Sequence, residues 1–275
     1  MNKKPELTGA DEFIENILTS RKYRELNIPQ ETARDIYSTA IASGQTPKEA
    51  EKNLRQKLHN IVAPYLGEPD FGKANTDLET AFHSGDAEEI KKVCGNLLSS
   101  HASSRERLEI LDEFYPQLFG LTGKPGSIFD LASGLNPLSL PWMGLDKEVE
   151  YYAYDLNEPR IELINRFFEL SGMKPLGFHQ DILIHPPEGK ADLALLFKEA
   201  HRMEQRQKGC TRRLIETTRV DWFLLSLPTS SLNGKYDLVE RQRRLVGTIL
   251  AGTPWPVTEI LFSNEIVFCI NKGNR

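Results

Sequence analysis

The chain has 275 residues, 39% hydrophobic and 27% charged, with a net charge of −5. That is the composition of a soluble globular protein with room for one large domain or two smaller ones, and its acidic balance excludes a surface coated in basic charge. The polar start Met-Asn-Lys-Lys-Pro-Glu lacks the apolar core of a signal peptide, and no stretch approaches the ~18 apolar residues of a membrane span. Cys94, Cys210 and Cys269 are an odd number, widely separated and without CxxC spacing, which points to a reduced cytoplasmic protein without structural zinc.

Residues 1–98 read as helices throughout. Phe13, Ile14, Ile17 and Leu18 recur at helical spacing, and a basic knot follows at Arg21, Lys22 and Arg24. A second helix spans 30–43 and stops at Gly44. Thr46-Pro47-Lys48-Glu49 is a capping signal with proline at the first helical position, and its helix runs to about Val62. After the Pro/Gly-rich segment 63–72, helices are expected at 75–83 and 86–98, the second capped by Asp86. No strand pattern precedes Ile128, so this half is expected to form a separate bundle. Residues 99–105 read as the joint, leading into a helix at 106–114 that Pro116 and the glycines at 120, 123 and 126 separate from the first strand.

From Ile128 the pattern alternates. Strands are expected at 127–132, 149–155, 176–180, 191–197, 220–227, 257–263 and 265–271, with helices around 157–171, 199–217 and 235–251. Such an order predicts an α/β fold with a mostly parallel sheet and a terminal antiparallel hairpin, the architecture of class I S-adenosylmethionine (SAM)-dependent methyltransferases. Its centre is 127–155, where an apolar run meets Asp130 and the turn Ala-Ser-Gly-Leu-Asn-Pro, and a second run ends at Asp155. The turn has Gly134 alone and no GxGxxG, so a dinucleotide pyrophosphate fits poorly and a nucleoside ligand such as SAM fits better.

Asp155 suits a ribose diol or caps the helix that follows; Asp181, with Ile182 and Leu183 beyond it, suits an adenine amino group and ring. Arg107 suits a carboxylate held by a bidentate pair, such as the amino-acid end of SAM offers, or is a surface residue of the helix 106–114. The histidines assemble neither a Ser-His-Asp triad nor a metal site. Between Leu195 and Arg244 basic residues outnumber acids, a local excess that suits phosphates or merely solvated helix faces.

Several segments together resemble the aminoglycoside-resistance 16S ribosomal RNA methyltransferases that modify guanine 1405 at N7, over nearly the whole chain. The carriers are Arg-Lys-Tyr-Arg (21–24), His-Ala-Ser-Ser-Arg-Glu-Arg-Leu (101–108), Asp-Leu-Ala-Ser-Gly-Leu-Asn-Pro-Leu (130–138), Gln-Asp-Ile-Leu (180–183), Asp-Leu-Ala-Leu-Leu-Phe-Lys (192–198) and Ser-Leu-Pro-Thr-Ser-Ser-Leu-Asn-Gly-Lys (226–235). The resemblance implies an rRNA-binding helical domain at 1–98 and a SAM-dependent methyltransferase domain at 99–275. It places SAM against Tyr65, His101, Ala102, Ser103, Arg107, Ala132, Gly134, Asp155, Asp181, Ile182 and Gln207, and rRNA against Arg21, Lys22, Arg24, Lys198, Arg202 and Lys235. It implies a monomer acting on 16S rRNA in the 30S subunit, with no metal and no membrane. The chain departs from the family at Ser133, where a cysteine is usual, at 199–202 after the fourth strand, and at 233–237, the last two where RNA contacts are expected. The rival readings are a SAM methyltransferase for another rRNA base or a small molecule, and a catalytically silent ribosome-binding protein.

Overall fold

The computed structural model describes residues 9–62, 68–230 and 237–273. Among the described residues seven strands make one sheet: β1 (Ser127–Leu131), β2 (Glu150–Asp155), β3 (Gly177–His179), β4 (Ala191–Phe197), β5 (Val220–Pro228), β6 (Val257–Leu261) and β7 (Glu265–Asn271). Their order is β3-β2-β1-β4-β5-β7-β6, and β7 runs against both its neighbours, so the expected sheet and hairpin are both present. Residue type follows position: β4, central, is buried along its length except at Asp192. Edge strand β6 is mostly exposed.

The strand order reverses between β1 and β4, so the loops leaving their carboxyl ends diverge and open a crevice there. The backbone is strained on both lips. Ala132, just after β1, has φ 53° and Lys198, just after β4, has φ 58°. Each such non-glycine residue costs about 1–3 kcal/mol, a cost concentrated in proteins at functional sites.

Helices cover both faces. On one pack α4 (Phe71–Ser84), α5 (Ala87–Ser100), α7 (Leu111–Thr122) and α9 (Glu158–Leu170). On the other pack α10 (Ala200–Arg206), α11 (Cys210–Thr217) and α12 (Val239–Ile249). The 3₁₀ turn at Asn136–Ser139 and the short α8 (Leu140–Met143) join the first of these faces through Leu138 and Met143, and α6 (Ala102–Leu108) packs beside α5. The first helices, α1 (Gly9–Leu18), α2 (Gln30–Ala42) and α3 (Pro47–Val62), bury a cluster of their own around Ile14, Ile17, Ile36, Leu54 and Leu58.

That division corrects the expected boundary at residue 98. Ala74 and Leu78 of α4, and Cys94, Leu97 and Leu98 of α5, belong to the sheet's core; the separate cluster ends with α3. Two predicted caps form as expected. Thr46 and Glu49 bond reciprocally, with the Thr46 amide donating to the Glu49 carboxylate at 2.8 Å, and Asp86 accepts from the Glu88 amide at 2.9 Å. Helix α4 begins earlier than expected because Asp70 caps it, accepting from the Lys73 amide.

The expected helix 106–114 is two helices that break near Ile110, and 99–105 is largely helical. Pro116 does not end α7 but sits inside it. Its lost hydrogen bond is outweighed by burial of Leu111, Phe114, Tyr115, Leu118 and Phe119 along one face. The expected helix 199–217 is also split, at Gly209 with φ 80°. Tyr65 and Lys235 lie outside the described residues.

Candidate functional site

The turn after β1 is held by its own backbone and by β2. The Ser133 amide donates to the Tyr154 carbonyl at 2.8 Å, and the Gly134 amide to Asp155 Oδ2 at 2.9 Å. Gly134 has φ 55°, and a Cβ placed there would stand 3.7 Å from the His101 ring. Glycine therefore keeps the turn unstrained and the crevice clear.

Beneath the turn is a polar network that local sequence could not reveal. Asn136 uses its whole amide: Oδ1 accepts from Arg107 Nη1 at 2.9 Å and the Tyr115 hydroxyl at 2.8 Å, while Nδ2 donates to Asp130 Oδ2 at 3.0 Å and the Tyr151 oxygen at 3.2 Å. Asp130, 1% exposed, is pushed up to about 6 by burial, against the hydrogen bonds from Asn136 and Tyr151. It therefore underpins the turn and is no ligand in the crevice. Glu265, fully buried at the start of β7, accepts from Arg107 Nη2 at 2.6 Å and Nε at 3.1 Å, and lies 3.3 Å from Lys198 Nζ.

Two expectations change here. The Arg107 fork that suits a SAM carboxylate is filled by Glu265, and its guanidinium lies over the Phe114 and Phe197 rings at 4.8 and 4.5 Å. Arg107 still lines the crevice, with donor capacity on Nη1 and Nη2 beyond those bonds. Lys198 is 5% exposed and paired with Glu106 at 2.8 Å, so it fixes the strained lip and is no surface phosphate contact.

The crevice has a volume of about 1050 Å³ counted to its open mouth. Of the residues expected at the cofactor, His101, Ser103, Arg107, Ala132, Gly134, Asp155, Asp181 and Ile182 all line it. Ala102 opens α6 beside them. Gln207 is not part of the lining; α10 ends there, its side chain accepts from Arg213 at 3.3 Å, and Gln205 and Arg206 face the crevice instead. Arg202, expected at the RNA surface, also lines it, paired with Glu199 at 2.8 Å. Burial pushes Glu199 up to about 7, with Arg202 pulling the other way.

Both acids are oriented by the protein. Asp155 accepts from the Gly134 amide and Arg160 Nη1 on Oδ2, at 2.9 and 2.8 Å, and from the Asn157 amide on Oδ1 at 2.9 Å. Arg160 is held in turn by Glu68. Asp181 accepts from Thr32 Oγ1 and Arg206 Nη2 on Oδ2, at 2.7 and 2.6 Å, and from the Leu183 amide on Oδ1 at 3.0 Å. A carboxylate offers roughly four acceptor positions, so among the described residues each acid keeps one open, on Oδ1. For Asp155 that means one ribose hydroxyl and not the expected pair. The capping role left open for Asp155 belongs to Asn157, whose side chain accepts from the Arg160 amide.

These residues fit a SAM-like nucleoside. His101 Nδ1 is buried with no partner among the described residues, a vacancy of the kind a ligand satisfies. Burial, followed by Arg160, pushes His101 down to about 3, so the ring is neutral at working pH and one of its nitrogens can accept. Sequence reasoning missed Arg160, Glu68, Thr32, Arg206 and Glu265. Only Arg160 had a local signal, its place in the first turn after Asp155.

Part of the basic excess after Leu195 is spent on ion pairs: Arg206 with Asp181 and Asp35, Arg212 with Glu216, Arg243 with Glu240 and Glu259. Arg21, Lys22 and Arg24 are exposed beside α1, and Arg241 and Arg244 are exposed on α12. Among the described residues no cluster of His, Cys, Asp or Glu could hold a metal ion, and no described helix is long and apolar enough to cross a membrane.

The family described as Ribosomal RNA methyltransferase (FmrO) matches residues 19–269. A protein of Serratia marcescens named 16S rRNA (guanine(1405)-N(7))-methyltransferase is 32% identical over 82% of this chain and 84% of its own length. One of the same name from Frankia casuarinae is 28% identical over 96% of this chain and 94% of that protein. The crystal structure of the 16S rRNA methyltransferase RmtF in complex with S-adenosyl-L-homocysteine superposes with a TM-score of 0.77 at 24% identity, covering 96% of this chain and 99% of that one. At that identity the likeness establishes the shared fold.

Proposed function

The chain belongs to the ribosomal RNA methyltransferase (FmrO) family, and from that premise we propose that it transfers a methyl group from SAM to N7 of guanine 1405 of 16S rRNA. The observation that carries the proposal is the crevice at the β1/β4 reversal, where one open acceptor on Asp155 and one on Asp181 stand beside the Gly134 turn. The adenosine would sit with its ribose at Asp155 and its ring against Ile182 and Leu183. Arg107 would offer its remaining donors to the carboxylate, and neutral His101 an acceptor to the amino group.

SAM supplies an electrophilic methyl on a sulfonium. Guanine N7 carries an exposed lone pair and needs no deprotonation, so no residue is required as general base. The protein's part is to bind, orient and exclude water, and alignment alone supplies roughly 7–11 kcal/mol in favourable cases. Methylation removes an acceptor from the major-groove edge and leaves positive charge on the ring. A polycationic aminoglycoside would then lose a hydrogen bond and meet like charge, which is the route to resistance.

The α1–α3 unit, with Arg21, Lys22 and Arg24 exposed, is the proposed contact to the rRNA backbone, joined by Arg241 and Arg244. The enzyme would act in the cytoplasm as a monomer on the assembled 30S subunit. The test is to incubate protein, SAM and drug-sensitive 30S subunits, then map N7-methylguanine by reductive strand scission and primer extension. A SAM-dependent stop at guanine 1405 alone supports the proposal. A stop elsewhere moves the target to another base, and no stop with no SAM binding leaves a silent ribosome-binding protein.

A further inference from the structure

The crevice is not completed by the sheet and its own helices. Lys57, Asn60 and Ile61 of α3 line it. Thr32 of α2 is fully buried, and its hydroxyl donates to Asp181 Oδ2 at 2.7 Å across 149 positions of sequence. The same oxygen receives Arg206 at 2.6 Å, and Arg206 reaches Asp35 of α2 at 3.3 Å. Lys57 donates to the Arg206 carbonyl at 2.6 Å, tying α3 to the same corner. Oδ2 of Asp181 is therefore saturated by Thr32 of α2 and Arg206 of α10, and its open lone pair is on Oδ1.

We propose that Thr32 is a positioning residue of the cofactor site, through which the α1–α3 unit fixes the Asp181 carboxylate so that Oδ1 meets the exocyclic amino group of the adenine. This rests on the reading of the crevice as the SAM site. The physical argument is rotational. A carboxylate anchored by one amide and one guanidinium can turn to share its oxygens, whereas a hydroxyl at 2.7 Å on the far oxygen sets the plane. Valine is close to threonine in size, so Thr32→Val removes chiefly the hydroxyl and its hydrogen bond to Asp181.

The test compares binding of S-adenosylhomocysteine and S-inosylhomocysteine to the full chain by calorimetry. The inosyl ligand carries a carbonyl where adenine has its amino group. Thr32→Val should weaken the adenosyl ligand about three- to tenfold, a part of one charged hydrogen bond, and leave the inosyl ligand unchanged. Thr32→Ser, which keeps the donor, should restore adenosyl binding. Asp181→Asn is the control on the site itself, since it should weaken the adenosyl ligand and favour the inosyl one. If Asp181→Asn changes neither, the placement of adenine at Asp181 fails. If Asp181→Asn behaves as expected but Thr32→Val has no effect, or weakens both ligands equally, the role given to Thr32 is overturned.

Discussion

Replacing Glu265 tests the buried ion cluster on which the crevice is built. Its carboxylate is fully buried and is the one anion shared by Arg107 and Lys198, whose side chains are 3% and 6% exposed. Glu265→Ala leaves Arg107 with Asn136 alone among its polar partners, and Lys198 with the half-exposed Glu106. Breaking a buried pair by removing one partner costs about 3–5 kcal/mol, a large share of a typical total stability of about 5–15 kcal/mol. Glu265→Gln keeps the shape and one acceptor oxygen and loses the charge, so about 1.5–3 kcal/mol is expected. Both are measured by equilibrium urea unfolding at pH 7.5 with circular dichroism.

The pH dependence supplies an internal check. Burial works against ionisation of Glu265, but Arg107 and Lys198 outweigh it and hold the carboxyl below its ordinary 4.5. The stabilisation is therefore fully present above about 4.5, the value of the unfolded chain, and is lost as pH falls through the lower folded value. The gap between wild type and Glu265→Gln should close over that acid range. Unfolding free energies within about 0.5 kcal/mol of wild type for both variants, the range of ordinary surface substitutions, would refute the reasoning.

Three further outcomes are expected. Gly134→Ala forces a side chain into φ 55° at a strain of about 1–2 kcal/mol and brings a Cβ to 3.7 Å from His101; S-adenosylhomocysteine should bind roughly tenfold more weakly, and an unchanged dissociation constant would exclude the Gly134 turn from the site. His101 is held near 3, well below its ordinary 6.5, so its ring resonances should show no titration between pH 5 and 8. Its contribution to stability is present above 6.5 and is lost as pH falls toward 3, because the unfolded chain binds the proton first. Leu54→Ala, at a side chain with no solvent exposure in the α1–α3 cluster, should cost about 2–5 kcal/mol. It should lower an early transition in thermal unfolding while the sheet's main transition stays in place; a single transition shifted as a whole would show that α1–α3 is no separate unit.

Much of the fold was legible in the sequence, because it follows from short-range pattern, as were the acids and the glycine at the sheet's ligand edge. Apolar runs of strand length fix the sheet, an acid at a strand end and a lone glycine in a turn mark its ligand edge, and Thr46 and Asp86 announce their helices by local hydrogen bonding. Asp155, Asp181 and Gly134 accordingly line one crevice, together with His101, which the family resemblance and no local pattern had pointed to. What each polar side chain does there was decided by the tertiary structure alone. Arg107 spends its fork on Glu265, 158 positions away; Asp181 is anchored by Thr32 across 149; and Lys198 is drawn inward to Glu106 across 92. A charge leaving water must find its partner wherever the fold brings one, and no local pattern names that partner. The same holds for α4 and α5, whose amphipathic spacing specifies helices but not which core they cover, so that the packing of Leu78 and Leu98 against the sheet, and not the run of helices, sets where the N-terminal unit ends.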